Sequence, residues 1–365
     1  MRPEVDLILK ASAPGADCPP KGGDPAALDW ALFLDTAFRH RVAAVVGVAM
    51  SQAGWFEQES RCEYVLDALL AAYAANERRN RVLVAEAVRL AGLLRGKGID
   101  VAVRKGAYLT PAVYKDAGLR PMNDIDLFVT RAAAEEVAEA LQDEGYQAGR
   151  LDSRAEVQPF SRRQSLFWNV HVNNLPPYHR PYGDRCLPAI TVDVCFDLFL
   201  PASGCDLPAE SLLAAASLVE VEGGSVPVLR AEHFLIDVAA HLYKESTTLR
   251  YIERGKHQRL LQYVDIAAVV RAHEGLDWDL LVATAERAGA AKHVYFALAN
   301  AERLYPSTAP ASVLADLAHA GDVDERFLIE YGAIDRAQAL SWSATDIVER
   351  LFSDEKPGAA SRSPI

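Results

Sequence analysis

Lys105-Gly106, followed by Met122-Asn123-Asp124-Ile125-Asp126-Leu127-Phe128-Val129, is the stretch that decides the fold. From Asp124 to Val129 the residues alternate as in a strand, where positions two apart share a face. Asp124 and Asp126 therefore project together, while Ile125, Leu127 and Val129 turn the other way, into a core. Adjacent carboxylates repel, and one resists ionising unless a cation lies between them. A divalent ion removes that conflict, and an all-oxygen donor set favours a hard one, Mg2+ or Mn2+. The bland alternative is a solvated strand end, or carboxylates bonded to backbone amides.

Working outward, Ile99 to Arg104 alternates as a strand, and Ala107–Tyr114 reads as a short helix. A helix over 131–144 ends at Gly145, and further strands are expected at Leu166–Val172 and Ala189–Leu198. Within the last of these, Asp193 interrupts an apolar run, where an unpaired carboxylate is costly. Asp193 beside Asp124 and Asp126 would place three acids at one sheet end, a set able to hold two metal ions. Asp197, four residues on, is a second candidate from that strand. Gly106 allows close approach of a phosphate to backbone, and the helix start after it offers free N–H groups. Lys105 suits phosphate neutralisation or a solvated surface. Arg120 suits a phosphate contact, or an ion pair with Asp116 or a site acid.

The rest of the chain is mostly helical. Residues 1–27 read as a flexible lead-in, rich in Pro and Gly after residue 10. A helical region spans 28–97, with helices near 26–39, 41–53 and 58–97. An α/β core spans 98–205 and a helical lobe 206–350, and residues 351–365 form a Pro/Ser/Gly-rich tail expected to be disordered. On the expected strand near 168, His171 shares a face with Asn169 and Asn173 and either touches substrate or sits hydrogen-bonded at a sheet edge. His241 and Lys244 lie one turn apart on an apolar helix, with Arg250 beyond. They read either as a cationic wall of an acceptor cleft between core and lobe, or as helix packing with a solvated lysine.

Composition bounds the function. The chain has 365 residues, 50 % hydrophobic and 24 % charged, with 50 acidic against 38 basic side chains and a formal net charge of −12. The apolar content excludes disorder for most of the length. Net acidity excludes a protein that coats nucleic acid by bulk charge, though not a local basic groove or an RNA-end contact. No run of eighteen apolar residues predicts a membrane span, and Met1–Pro20 lacks a secretory pattern. Five scattered cysteines without a CxxC spacing fit reduced thiols in a cytoplasmic protein.

These residues resemble the nucleotidyltransferase superfamily with the DNA polymerase β-like fold, and within it the bacterial uncharacterised nucleotidyltransferase family. The likeness rests on Lys105-Gly106, Tyr114, Gly118-Leu119-Arg120, Asp124-Ile125-Asp126-Leu127-Phe128-Val129, Gly145-Tyr146 and Val192-Asp193-Val194. It also takes in His40-Arg41-Val42, Ala240-His241 and Tyr263-Val264-Asp265-Ile266, and covers roughly residues 28–310. The resemblance implies an α+β fold: a small mixed sheet with flanking helices, an N-terminal helical segment and a C-terminal helical lobe. It implies transfer of a nucleoside monophosphate from an NTP to an acceptor, with release of pyrophosphate. Asp124, Asp126 and Asp193 would hold Mg2+ or Mn2+, and Lys105, Gly106 and Arg120 would grip the nucleotide. The acceptor is expected to be a small molecule, a peptide natural product or an RNA end. Two positions depart from the family's usual text: Ala107 stands where a Ser follows the Gly, and Cys195-Phe196 where His-Trp is common. The missing hydroxyl leaves a second reading, a non-catalytic nucleotide-binding or regulatory protein of the same fold. A metal-dependent hydrolase would need histidine ligands that this acid set lacks.

Overall fold

The computed structural model describes residues 1–15, 25–55, 63–201 and 203–353. Two compact units divide it: Met1–Tyr73 together with Leu235–Ile365, and Ala74–Phe234. The first is discontinuous in sequence, and the second is contiguous.

The N-terminal part of the first unit begins with helix α1 (Pro3–Ser12), where a flexible lead-in was expected. Its Val5, Leu7, Ile8 and Ala11 are buried, and Ser12 Oγ lies 2.9 Å from the Tyr305 hydroxyl. An apolar stripe at helical spacing, with Pro at the first turn, explains the helix. The remainder of the lead-in from 16 to 24 lies outside the described residues. Helix α2 (Trp30–Arg39) is capped by Asp29, whose carboxylate accepts the Ala31 and Leu32 amides, each at 3.0 Å. Helix α3 spans Ala43–Gln52 and α4 Glu63–Gly96.

The second unit is built on a seven-stranded mixed sheet. After α4 come β1 (Val101–Arg104), the one-turn α5 (Gly106–Tyr108) running into a π-helical turn (Leu109–Tyr114), and β2 (Ile125–Val129). Helix α6 (Ala134–Asp143) leads to β3 (Gln147–Ala148) and a small separate hairpin, β4 (Arg150–Leu151) with β5 (Val157–Gln158). Then follow α7 (Arg162–His171), β6 (Tyr178–Pro181), β7 (Ala189–Cys195), α8 (Ala209–Ala214), β8 (Ser217–Val221) and β9 (Gly224–Val228). The order across the sheet is β3-β6-β7-β2-β1-β9-β8. Strands β1 and β2 pair antiparallel, while β2–β7 and β1–β9 are parallel. Every residue of β1 and β2 is buried, as befits central strands.

Two expectations fail here. The strand placed at Leu166–Val172 is helix α7. Its start is a reciprocal cap: the Gln164 amide donates to Ser161 Oγ and the Ser161 amide to Gln164 Oε1, a device that outweighs the strand-favouring residues downstream. The α/β core also does not end at 205. The hairpin β8–β9 extends the sheet beside β1, turning at Glu222-Gly223-Gly224, where both glycines have positive φ.

From residue 231 the chain is again helical, with α9 (Ala231–Thr247), α10 (Leu249–Ile252), α11 (Leu260–Ala272), α12 (Trp278–Arg287), α13 (Ala291–Leu304) and α14 (Ala311–Ala320). The final stretch carries a short ladder, β10 (Glu330–Tyr331) with β11 (Leu340–Ser341), and α15 (Ile347–Phe352). Leu351 and Phe352 are buried, so the expected disordered tail does not begin there, and residues 354–365 lie outside the described residues. Among the described residues no helix is long and apolar enough to cross a membrane. Cys186, Cys195 and Cys205 are not in disulfides, and Cys18 and Cys62 lie outside the described residues.

Candidate active site

Strand β2 places the acid pair. Asp126 is in register with Arg104 of β1 on one side and with Asp193 of β7 on the other. Residues in register point to the same face, so Arg104, Asp126 and Asp193 form a row across three strands. Asp124 lies two residues before Asp126, and both it and Asp193 are half-buried, whereas Asp126 is 6 % exposed. Phe128 and Cys195, the next pair along that face, are buried beneath the acids. The Arg104 guanidinium donates to the Cys195 sulfur and lies 5.7 Å from the Phe128 ring centroid.

A lysine is turned onto this row. Lys105 follows β1 with φ 43° and ψ −122°, a conformation that crowds the β-carbon of an L residue. Its ammonium donates to Asp126 Oδ1 at 2.5 Å. Burial pulls that ammonium down and Arg104 pulls with it, yet the Asp126 and Asp124 charges outweigh both and hold it above the ordinary lysine value.

Gly106 and Arg120 meet beside it. A β-carbon on Gly106 would come within 2.7 Å of Met122 Cγ and 3.0 Å of Arg120 Nη1, so glycine is what lets the two motif segments close up. The turn carrying Arg120 is held from α4. Asn76 Nδ2 donates to the Gly118 carbonyl at 3.0 Å, and Asn80 Nδ2 to the Ala117 and Arg120 carbonyls at 2.7 Å each. Asp116 caps the same turn through the Gly118 amide at 2.7 Å. Sequence reasoning missed Asn76, Asn80 and Arg104. Two asparagines four apart on one face of a long helix, and a cation ending the apolar strand Val101–Val103, are the signals it had.

The other expected residues are elsewhere. Asp197 lies four residues beyond Asp193, roughly 13 Å along the strand direction. There Oδ1 accepts the Phe199 amide at 2.9 Å and Oδ2 the Asn173 side-chain amide at 3.0 Å. Burial raises its carboxyl above the usual range, against the pull of the backbone amides that bond it. His171 is the last residue of α7 rather than a strand residue, and its side chain lies outside the described residues. His241 and Lys244 sit on α9 in the other unit, where His241 Nε2 is 3.7 Å from Glu245 Oε2 and Lys244 Nζ is 5.9 Å from the Tyr251 ring centroid.

The structure thus brings together Asp126 and Asp193 with Arg104 and Lys105, and Gly106 with Arg120. As the side chains stand, no group of three His, Cys, Asp or Glu among the described residues is drawn into a metal-holding arrangement. The donor chemistry nonetheless fits a hard cation: carboxylate oxygens in one row, with an ammonium already drawn to them.

A model of the uncharacterised nucleotidyltransferase family matches residues 26–306, about three-quarters of the chain. No curated protein matches it significantly.

Proposed function

The chain belongs to the uncharacterised nucleotidyltransferase family, and from that premise we propose that Ala74–Phe234 carries a polymerase β-like catalytic core. Membership supports a general role in nucleoside-monophosphate transfer. The reading proposed is attack by an acceptor hydroxyl on the α-phosphorus of an NTP. The new bond is acceptor oxygen to phosphorus, the bond broken is that to the bridging oxygen, and pyrophosphate leaves. The observation that carries it is the register of Asp126 with Asp193, with Asp124 two residues before.

Asp124, Asp126 and Asp193 are the residues that would hold Mg2+ or Mn2+. Such an ion, when bound, supplies charge neutralisation for the triphosphate and a lowered pKa for the acceptor hydroxyl. Lys105 and Arg120 take triphosphate charge beside the bare backbone of Gly106. Asp193 accepts the acceptor's proton on a carboxylate oxygen. Buried Arg104 holds positive charge next to the row and limits its repulsion. Catalysis of this kind is mainly positioning and electrostatics. The acceptor is a small molecule, a peptide natural product or an RNA end, and the −12 net charge favours the first two over a long polyanion.

Incubation with α-labelled NTPs and pooled acceptors of the three classes, with and without Mg2+, tests the proposal. Label transfer that requires Mg2+ and vanishes in Asp193→Asn supports it. NTP binding without transfer to any acceptor would instead favour a nucleotide-binding regulatory protein, the reading to which Ala107 points.

A further inference from the structure

Lys105 combines three observations. Its backbone is held at φ 43°, ψ −122°, which costs free energy and persists only where surrounding contacts compensate. Its ammonium lies 2.5 Å from Asp126 Oδ1, on a carboxylate whose side chain is 8 % exposed. And the acids around it, Asp124, Asp126 and Asp193, share one face without being gathered on a common centre.

We propose that Lys105 is a resident counter-ion, which an incoming divalent cation displaces from Asp126. Two cations compete for the same carboxylate oxygens, so the ion pair is a tax on metal affinity. An unpaired carboxylate at this depth is expensive, and in the metal-free protein the lysine offsets part of that cost. Once displaced, the ammonium is available to the triphosphate that arrives with the ion. Metal and nucleotide binding are then coupled through one side chain: nucleotide draws Lys105 off Asp126 and favours metal, and metal does the same for nucleotide. A purely structural salt bridge would have no such coupling. The proposal rests on the reading of these acids as the Mg2+ or Mn2+ site.

The test uses the full chain, titrated with Mn2+ by calorimetry and by paramagnetic resonance of free Mn2+, with thermal unfolding in chelator alongside. Lys105→Met keeps the stem and removes the charge. It is expected to bind Mn2+ about tenfold more tightly than the parent, as removal of a competitor occupying nine-tenths of the sites requires. In chelator it melts lower than the parent, and Mn2+ raises its melting temperature by more. Lys105→Arg, which keeps a cation, retains weak binding. Equal or weaker Mn2+ affinity in Lys105→Met overturns the counter-ion proposal and leaves the metal site standing. No Mn2+ binding in either parent or variant overturns the metal site, and the proposal with it. If Lys105→Met does not fold without metal, Lys105→Gln, which keeps a neutral hydrogen-bond donor beside Asp126, is titrated in its place: tighter Mn2+ binding than the parent supports the proposal, and equal or weaker binding overturns it.

Discussion

Asp126 and Glu86 are both largely buried carboxylates of the same unit, each held by a cation, and they differ in how the charge is settled. Glu86 on α4 accepts the Tyr146 hydroxyl at 2.6 Å and two nitrogens of Arg89 at 2.8 and 3.1 Å, and Arg180 lies 2.9 Å away. Burial pushes its carboxyl up, but these hydrogen bonds and charges outweigh burial and keep it below the ordinary value. Its partners come from one turn along the same helix, from the chain after α6 and from β6. Asp126 is placed differently, with a second acid in register, a third two residues away, and a lysine that reaches it from a strained backbone. A carboxylate with surplus partners in relaxed geometry ties a structure together. One crowded by its own charge, with its cation held under strain, is set to exchange partners.

The largest expected effect lies on the crowded acid. Asp126→Asn should lower nucleotidyl transfer by about a thousandfold, the scale on which removed charge-stabilising groups act, in a protein that still folds but melts lower because the Lys105 ammonium loses its carboxylate partner. A folded Asp126→Asn protein at parental turnover breaks the comparison.

Buried histidines supply a contrasting case, kept neutral by burial instead of charged by partners. His40 is lowered to about 3, chiefly by burial and then by Arg39 and His257. His257 and His293 fall to about 4, again by burial first, with Arg350 and Lys292 adding to it. The unfolded chain takes up protons below about 6.5 that the fold refuses. Stability is therefore complete above pH 6.5 and lost from there down toward 4, by on the order of 1 kcal/mol per pH unit for each histidine. Denaturant melts between pH 7 and 4 should show this slope, flattened in His40→Gln and His293→Gln.

Glu86→Gln should cost about 2 kcal/mol of stability, the worth of charged hydrogen bonds in a half-shielded site, while transfer per folded molecule stays at the parental level. Loss of activity without loss of stability would invert the two roles. The smallest effect is expected at Gly106→Ala, about 1 kcal/mol from overpacking against Met122 and partly relieved by adding Met122→Ala, measured by chemical denaturation.

Much of this was legible in the chain. The Asp124–Val129 alternation and the lone acid in an apolar strand predicted which residues share a face, because in a strand buried on one side a one-residue slip would turn every side chain to the wrong face. Helix α2, with its strong Asp29 cap, falls within a few residues of the expected 26–39. The hairpin β8–β9 was hidden because Leu218-Val219-Glu220-Val221 is too short to separate from the helices around it. Helix α7 was misread because β-branched and aromatic residues outvoted the Ser161–Gln164 cap. No pattern of letters announces the Lys105 backbone angle or the asparagine grip on the motif turn, which depend on segments brought together only in three dimensions.

That grip has a consequence for how the protein is made. The carbonyls of Ala117, Gly118 and Arg120 are satisfied by side chains 37 to 42 residues earlier in the chain. Closing such a loop precedes any reward from it, so the motif turn cannot ripen locally. Chains whose α4 has not yet docked carry all the motif residues without the turn assembled. On the proposed reading, a nascent or partly unfolded molecule lacks the assembled turn that would carry Arg120 to nucleotide.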